Sequence, residues 1–514
     1  MKRIKTFVVL AGIMLSQAAP AEAANWNFTP YLVLGQAYTD NVSQAPKGEE
    51  QDEFISLLNP GFFLIRDQGR VRANIAYQMQ NLYYAKESDF ETFHQLDAFG
   101  VAEVAQDHVF IDASSSISQQ VIDARQAAPV SNLSLNDNRA DVFTAAVSPY
   151  VRQQFGATTE AIARYRYGIV DFDDDEAGGV TDDITVNGGL LGVGALPEER
   201  RYGWLAAYSQ ERVGREDTDA VDTFERAGLR LDYMLTRVIG LTALGGYEEN
   251  DFESTTVTDF NTKGEYWEAG VRLQPTSQDL IEARYGERFF GNTFFFSWDR
   301  LGRRFATRIA YTEDVTTVAQ SLLGGSDQLL SYGILRPADG GQMLGGANAP
   351  RGYQGVSIDP DTGLPEPGTP IDPDTGLPVG GLSLTSEVFV SKRLDAGVTF
   401  NTAKTATEIN LFQEDRDFLG VTESEDERVR GIETLLTWHL TSRTDLLAGA
   451  DFARQDFEES EQSADVIHFR LGLQRFIGSR TFARLEGRRT QRESEDGLDE
   501  FVENAVVVTA TRLF

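Results

Sequence analysis

The chain has 514 residues, with 46 lysines and arginines against 79 acidic side chains, a formal charge of −33 and no cysteine. So acidic a chain is no partner for nucleic acid, and the missing cysteine fits an exported protein without requiring one. Mean hydropathy is −0.30, and no segment reaches the roughly 18 unbroken apolar residues of a spanning helix. That excludes a helical membrane protein but leaves a barrel open, because barrel strands alternate lipid-facing and lumen-facing residues.

The first element in chain order is an address. Lys2, Arg3 and Lys5 precede an apolar run from Phe7 to Leu15, and Ala21, Glu22 and Ala23 place small residues at the cleavage positions. Residues 1–23 therefore read as a secretory signal peptide, with the mature chain over 24–514. From Trp26 onward one unit repeats. Ala161, Ala163, Tyr165, Tyr167 and Ile169 interleave with Glu160, Arg164, Arg166 and Gly168. The same alternation sets Trp267, Ala269, Val271 and Leu273 against Glu268, Gly270 and Arg272, and Ile467, Phe469, Leu471 and Leu473 against His468, Arg470, Gly472 and Gln474. A period of two gives one apolar and one polar face.

Strands are predicted at 26–38, 53–66, 69–84, 92–106, 108–121, 140–154, 157–172, 181–196, 200–212, 221–235 and 237–253. They continue at 260–274, 278–290, 293–301, 304–317, 385–400, 404–417, 427–441, 443–457, 464–477, 480–492 and 500–514. The expected fold is all-β: a single transmembrane antiparallel β-barrel of about 22 strands (18–26), even-numbered as periplasmic termini require. Joins alternate in length. Asp67-Gln68-Gly69, Phe155-Gly156-Ala157, Pro197-Glu198-Glu199, Asn401-Thr402-Ala403 and Ile477-Gly478-Ser479 are tight, as periplasmic turns should be. Asn41–Asp52, Asp123–Arg139, Asp173–Val180 and Glu423–Asp426 are longer and acidic, as extracellular loops should be; only Gly291-Asn292 breaks the rule.

Residues 318–384 stand apart as a Gly/Pro-rich extracellular loop. They hold eight of the 16 prolines and duplicate Ile358-Asp-Pro-Asp-Thr-Gly-Leu-Pro365 as Ile371-Asp-Pro-Asp-Thr-Gly-Leu-Pro378. This is turn chemistry in which no strand is expected. Such a loop either folds into the pore as a constriction or stands in solvent. The final strand runs through Val506, Val508 and Ala510 to Phe514 on one face, an assembly signal for the outer-membrane barrel machinery, with Arg512 where an aromatic would be usual.

If the apolar parity meets lipid, the polar parity lines the lumen. That turns Arg70, Arg72, Arg164, Arg166, Arg226, Arg230, Arg272, Arg284, Arg288, Arg470, Arg484 and Arg488 inward, with Glu268, Glu282 and Glu486. Either these pair into ladders that stiffen a wide wall, or the arginines line a path for an anionic or hydroxyl-rich solute. Guanidinium binds carboxylate in bidentate fashion and stacks on flat faces, so the second reading predicts anion preference. The outer loops are acidic: Asp171, Asp173, Asp174, Asp175 and Glu176 in one group, and Glu423, Glu425, Asp426 and Glu427 in another. Glu458, Glu459, Glu461, Glu493, Glu495 and Asp496 add to them. They are solvated charge, or they bridge through divalent cations to lipopolysaccharide phosphates. Asp173, Asp174, Asp175, Asp359, Asp361, Asp372 and Asp374 are weak metal candidates without the spacing of a calcium loop. His94, His108, His439 and His468 fall in no catalytic or metal motif, so neither enzyme nor cofactor is expected. Trp204, Tyr208, Tyr233, Trp267 and Trp438 read as interface girdles.

Several blocks resemble the outer-membrane β-barrel family associated with exosortase/PEP-CTERM sorting systems. They are Tyr38-Thr-Asp-Asn-Val42, Asn59-Pro-Gly61, Ser118-Gln-Gln120, Val147-Ser-Pro-Tyr150, Arg284-Tyr-Gly-Glu-Arg-Phe-Phe-Gly-Asn292, Tyr311-Thr-Glu-Asp-Val-Thr-Thr317 and Val388-Phe-Val-Ser-Lys-Arg-Leu394. The resemblance covers essentially the whole mature chain except the duplicated loop. It implies a Gram-negative outer-membrane barrel that travels with exopolysaccharide biosynthesis, and it transfers no catalytic residue. The expected function is a channel for export of an extracellular polysaccharide or associated surface polymer. Its partners would be outer-membrane lipid and lipopolysaccharide, the barrel-assembly machinery and polysaccharide-export components. The rivals are a structural or adhesive barrel that anchors surface polymer or proteins, and a passive porin for anionic solutes. A TonB-type transporter is disfavoured, since strand pattern begins at Trp26 where a plug domain would be needed.

Overall fold

The computed structural model describes residues 26–514 apart from 67, 174–182, 196–200, 217, 254–260, 303, 325–357, 360–363, 366–380, 421–424 and 496–498. The signal-peptide segment lies outside the described residues. Twenty-two strands form one sheet in which each pairs antiparallel with its sequence neighbour. They are β1 Asn27–Thr39, β2 Glu53–Arg66, β3 Val71–Tyr84, β4 Asp89–Ala105, β5 Val109–Val121, β6 Arg139–Phe155, β7 Thr159–Asp173, β8 Ile184–Ala195, β9 Tyr202–Arg215, β10 Val221–Met234 and β11 Ile239–Asp251. Then come β12 Lys263–Leu273, β13 Asp279–Arg288, β14 Gly291–Leu301, β15 Phe305–Thr316, β16 Phe389–Asn401, β17 Thr405–Phe418, β18 Glu427–Thr441, β19 Thr444–Phe457, β20 Gln462–Phe476, β21 Thr481–Ser494 and β22 Phe501–Leu513. β22 pairs with β1 from Thr39 opposite Ala505 to Tyr31 opposite Leu513, which closes the barrel. Every predicted strand is found, with ends shifted by a few residues at most.

The alternation sorts side chains between the two faces as predicted. In β22, Val502, Val506, Val508 and the terminal Phe514 are exposed on the outside, while Phe501, Glu503, Val507 and Thr511 are buried within. Around the wall Leu34, Leu191, Leu229, Leu241, Leu411 and Leu471 are exposed, and charged residues such as Arg230, Glu248 and Arg284 are buried. That is a soluble protein turned inside out, stable only with lipid around it. Pairing of every strand with both neighbours meets the other demand of lipid, that backbone groups be hydrogen-bonded within the sheet. Tyr208, Tyr233, Trp267 and Trp438 are exposed on the outer face. Arg512 lies 5.7 Å from the Phe514 ring centroid, and the Phe514 amide still donates to Pro30 at 2.9 Å.

Two hairpins depart from the cylinder at the end that carries the long loops. β4–β5 pairing stops at Leu96–Ile117, although β3–β4 pairing runs on to Tyr84–Asp89 and β5–β6 pairing to Val121–Arg139. Past that seam the β5–β6 end leans behind β4: the Arg139 guanidinium sits 4.2 Å from the Phe93 ring centroid and 3.1 Å from Glu91. A second seam opens between β14 and β15, whose pairing stops at Phe296–Tyr311 while β15–β16 pairing continues to Thr316–Phe389. There Val315, Val388 and Val390 pack under Phe289, Phe290 and Phe224. The short outer join is Phe289-Phe290, one step earlier than predicted, with Gly291 (φ 120°) opening β14.

The seam leaves Asp89–Gln95 of β4 strand-paired with β3 and not with β5. Hydrogen–deuterium exchange of the folded barrel should therefore be faster across 89–95 than across 97–103 of the same strand; equal protection would contradict the seam.

Candidate functional site

The predicted lumen residues divide into those that build the wall and one that does not reach it. Arg70 is exposed in the β2–β3 turn, because β3 starts at Val71 and the alternation does not extend into the turn. Arg72 and Arg272 take inward positions, opposite Val101 and Glu282. On β10–β15 the rest form two chains of charge. In one, Arg230 binds Asp232 (3.0 Å) and Glu282 (2.9 Å), and Arg284 binds Glu282 and Glu268 (2.8 Å for the latter). In the other, Arg226 reaches Glu248 (3.5 Å) and Asp314 (3.3 Å), and Arg288 binds both at 2.8 Å. Phe295 stacks beneath Arg284 with its ring centroid 3.7 Å from the guanidinium carbon. Elsewhere Arg164 pairs with Asp112 at 2.6 Å, and Arg484 and Arg488 share Glu486. Arg470 lies across Gly449, where a Cβ would come within 2.5 Å of its Nε. Arg164, Arg226, Arg230, Arg284, Arg288, Arg484 and Arg488 are thus paired with carboxylates within the wall.

Burial changes along the lumen. Near the short-turn end, inward Asp299 and Arg308 are 3.7 Å apart with side chains 47% exposed; at the loop end Arg288 and Glu248 are 5% and 2% exposed. Two inserted segments occupy the loop end. The first is the β5–β6 loop, residues 122–138, expected to stand outside but folded across the lumen. Leu133 is buried among Ala37, Leu57, Leu82, Tyr84 and Val507, Val130 reaches Phe412, Val429 and Ala453 on the far wall, and Arg492 donates to the Arg125 carbonyl at 2.6 Å. The second is the long 318–384 loop, whose described ends both turn inward. Thr317 caps a short helix, α1 (Val318–Leu322), through a reciprocal bond with Gln320. Gln320 then donates to Glu211 at 2.6 Å, and Arg166 donates to the Leu323 carbonyl. Val318, Ala319, Leu323 and Leu384 pack on Val142, Val170 and Val186 of the β6–β8 wall.

The segments latch to each other. Leu384 N donates to Ile122 O at 3.1 Å, Ala124 N to Ser383 Oγ at 3.0 Å, and Arg125 stands 3.7 Å from Glu425. Of the loop's interior only a two-residue pairing is described, Ile358–Asp359 with Leu364–Pro365, so the duplicated motif does support a minimal strand pair that its turn chemistry gave no reason to expect. The side chains of all seven weak metal candidates lie outside the described residues. The four histidines do not gather: His94 meets Tyr77 (2.8 Å), His439 meets Asp445 (2.8 Å) and His468 meets Thr490 (3.0 Å), each within its own stretch of wall.

The blocks singled out by resemblance fall largely at these junctions. Asn41 is fully buried and fastens the β1–β2 loop through Ala45 and Val502. Gly61 lets the Tyr31 ring cross where a Cβ would come within 2.4 Å of it. Gln119 holds Asn132 of the inserted loop. Arg284, Arg288 and Asp314 supply the ionic chains, and Val388 and Phe389 seat the returning segment. Insertion of 122–138 had one unread signal: Gln126–Asn136 carries no charge in a chain of −33.

A closed antiparallel sheet with an apolar outer band, a polar lumen, tight turns at one end and long loops at the other defines a transmembrane β-barrel of the outer-membrane type. No family model matches the chain, and no curated protein matches it. Among solved structures it is similar to the siderophore receptor PirA from Pseudomonas aeruginosa, at 8% identity and a TM-score of 0.42 over 96% of this chain and 82% of that one. It is similar also to the apoprotein form of the FrpB iron transporter from Neisseria meningitidis (9%, TM-score 0.39, 95% and 81%). A third is a loop-deletion mutant of OmpT, an outer membrane protein of Vibrio cholerae (10%, TM-score 0.29, 96% and 100%). At such identities and TM-scores none of them bears on what this barrel carries.

Two outcomes follow for the wall and the latch. Arg288→Ala leaves Glu248 and Asp314 to Arg226 alone and should cost about 1–3 kcal/mol, read as a lower temperature for loss of the compact form on SDS gels; Glu248→Gln should cost less. At the loop base, burial pushes the Asp123 carboxyl up, but bonds from Arg125 and Gln126 outweigh it and hold it below the usual range. The stabilisation is complete above the ordinary aspartate pKa of about 3.9 and is lost as pH falls through the lower folded value. Proteolysis of the 122–138 loop should therefore quicken on acidification below about pH 4, and Asp123→Asn should abolish that dependence.

Proposed function

We propose that the chain is an outer-membrane channel of a Gram-negative bacterium for export of an extracellular polysaccharide or an associated surface polymer, held shut at its outer mouth by its own loops. The observation that carries this reading is the inserted pair of segments, 122–138 and the ends of 318–384, lying on apolar patches of the inner wall and bonded to each other. A barrel of this strand number has room for a passage, and its short-turn end keeps half-exposed polar side chains. The resemblance to exosortase-associated barrels supports a polymer as cargo. Neutralised arginines leave little to select anions, so a passive anion porin is not adopted.

The same pairing favours one other reading, a structural barrel that anchors surface polymer through its outer loops. Planar-bilayer recording separates the two. The native barrel should stay closed or nearly so. Replacing 123–137 by a short Gly/Ser linker should give steady conductance with little charge selectivity. A loop-deleted barrel that remains folded yet never conducts would favour the anchoring role, as would cells lacking the gene that secrete polymer normally but fail to retain it.

A further inference from the structure

The wall of β1–β5 differs from the ionic wall of β10–β15. Its buried polar side chains include a set of amides and hydroxyls, Gln78, Gln80, Gln119, Tyr31 and Tyr84, and the 122–138 loop sits on it as a ligand would. Asn132, 1% exposed, donates through Nδ2 to Gln80 Oε1 at 2.7 Å and to Gln119 Oε1 at 3.1 Å. Its carbonyl accepts from Tyr84 Oη at 3.3 Å, and Leu133 beside it fills the apolar pocket of Leu57, Leu82 and Phe93. The fit is incomplete in one respect. Gln78 Nε2, Gln80 Nε2 and Asn132 Oδ1 are buried without a hydrogen-bond partner among the described residues. Unmet buried polar atoms are costly, so the wall carries donors that the loop does not use.

We infer that this wall is a glycan-binding surface and that Asn132 occupies it in place of a neutral, hydroxyl-rich polymer. A hydroxyl both donates and accepts, whereas an amide nitrogen only donates. Two neighbouring sugar hydroxyls give protons to Gln80 Oε1 and Gln119 Oε1, as Asn132 does, and their oxygens accept from Gln78 Nε2 and Gln80 Nε2, as Asn132 Oδ1 does not. The amides and tyrosines bring no cation, the Arg139 guanidinium over Phe93 is paired with Glu91, and Asp141, 2.8 Å from Gln119 Nε2, opposes an anion; the preferred glycan is neutral. The inference rests on the polymer-channel reading, and it adds which face the polymer follows and what it displaces.

The test uses the full barrel in lipid nanodiscs with dextran oligosaccharides and, as the charged counterpart, oligogalacturonate. Asn132→Ala/Leu133→Ala, which unseats the loop, should bind dextran at least tenfold more tightly than the native barrel by calorimetry. Adding Gln80→Ala should remove most of that gain while the compact form on SDS gels persists, and oligogalacturonate should bind more weakly than dextran. No gain on unseating the loop, a gain indifferent to Gln80→Ala, or a preference for oligogalacturonate each overturns the inference. Conductance of the unseated variant without sugar is read separately. Conductance without dextran binding leaves the channel reading standing and removes this site; binding without conductance keeps the site and removes the channel.

Discussion

A sheet of 22 strands closed on itself encloses more space than its own inward side chains can fill, and most of what is distinctive in this barrel answers that constraint. Toward the short-turn end that space still leaves Asp299 and Arg308 half-exposed, while Asp232 and Asp445 are buried. At the loop end it is filled by the chain itself. Two hairpins part from the cylinder at seams and carry their loops inward. Leaning inward buries both faces of each hairpin tip, so Val315 and Val390, which would otherwise look outward, lie under Phe289 and Phe290.

Filling the lumen changes what its charges do. In an open water-filled passage the inner arginines would be hydrated and free to meet a solute. Arg230, toward the short-turn end of β10, and Arg284 are instead 1% exposed, and a guanidinium in that setting is tolerable only when paired. The Asp232–Arg230–Glu282–Arg284–Glu268 chain supplies that pairing along the wall. The opposite side takes another route, with amides, hydroxyls and apolar side chains against a loop whose 126–136 stretch is uncharged. The lumen is thus divided between an ionic wall that fixes shape and a wall rich in amides and apolar side chains where the loop is seated.

The sequence shows the cylinder clearly and its contents poorly. Strand count, inward parity and the outward Phe514 follow from alternation, which is local and repeats twenty-two times. Arg70 was misplaced because alternation by itself does not mark where a strand yields to a turn. Neither seam is legible: Gln95 and Ile117 stand in ordinary strand patterns, and past them β4–β5 pairing ends and Arg139 packs on Phe93 two strands away. α1, at five residues, is too short to show a helical period. That arginine and glutamate share the polar parity was visible, but that Arg288 would choose Glu248 and Asp314 depends on three different strands.

The central claim is that the loop end is closed by segments latched to each other. A chain without cysteine allows a direct measurement. Ala124 and Ser383 meet at 3.0 Å between the Ala124 amide nitrogen and Ser383 Oγ, so Ala124→Cys/Ser383→Cys places two thiols on residues in contact. Conductance of that barrel in a planar bilayer, before and after a reductant, is the measurement. The account predicts a spontaneous cross-link, a silent channel while it holds, and intermittent opening once it is reduced. A pair that does not cross-link, or a cross-linked barrel that conducts as freely as the reduced one, would contradict it.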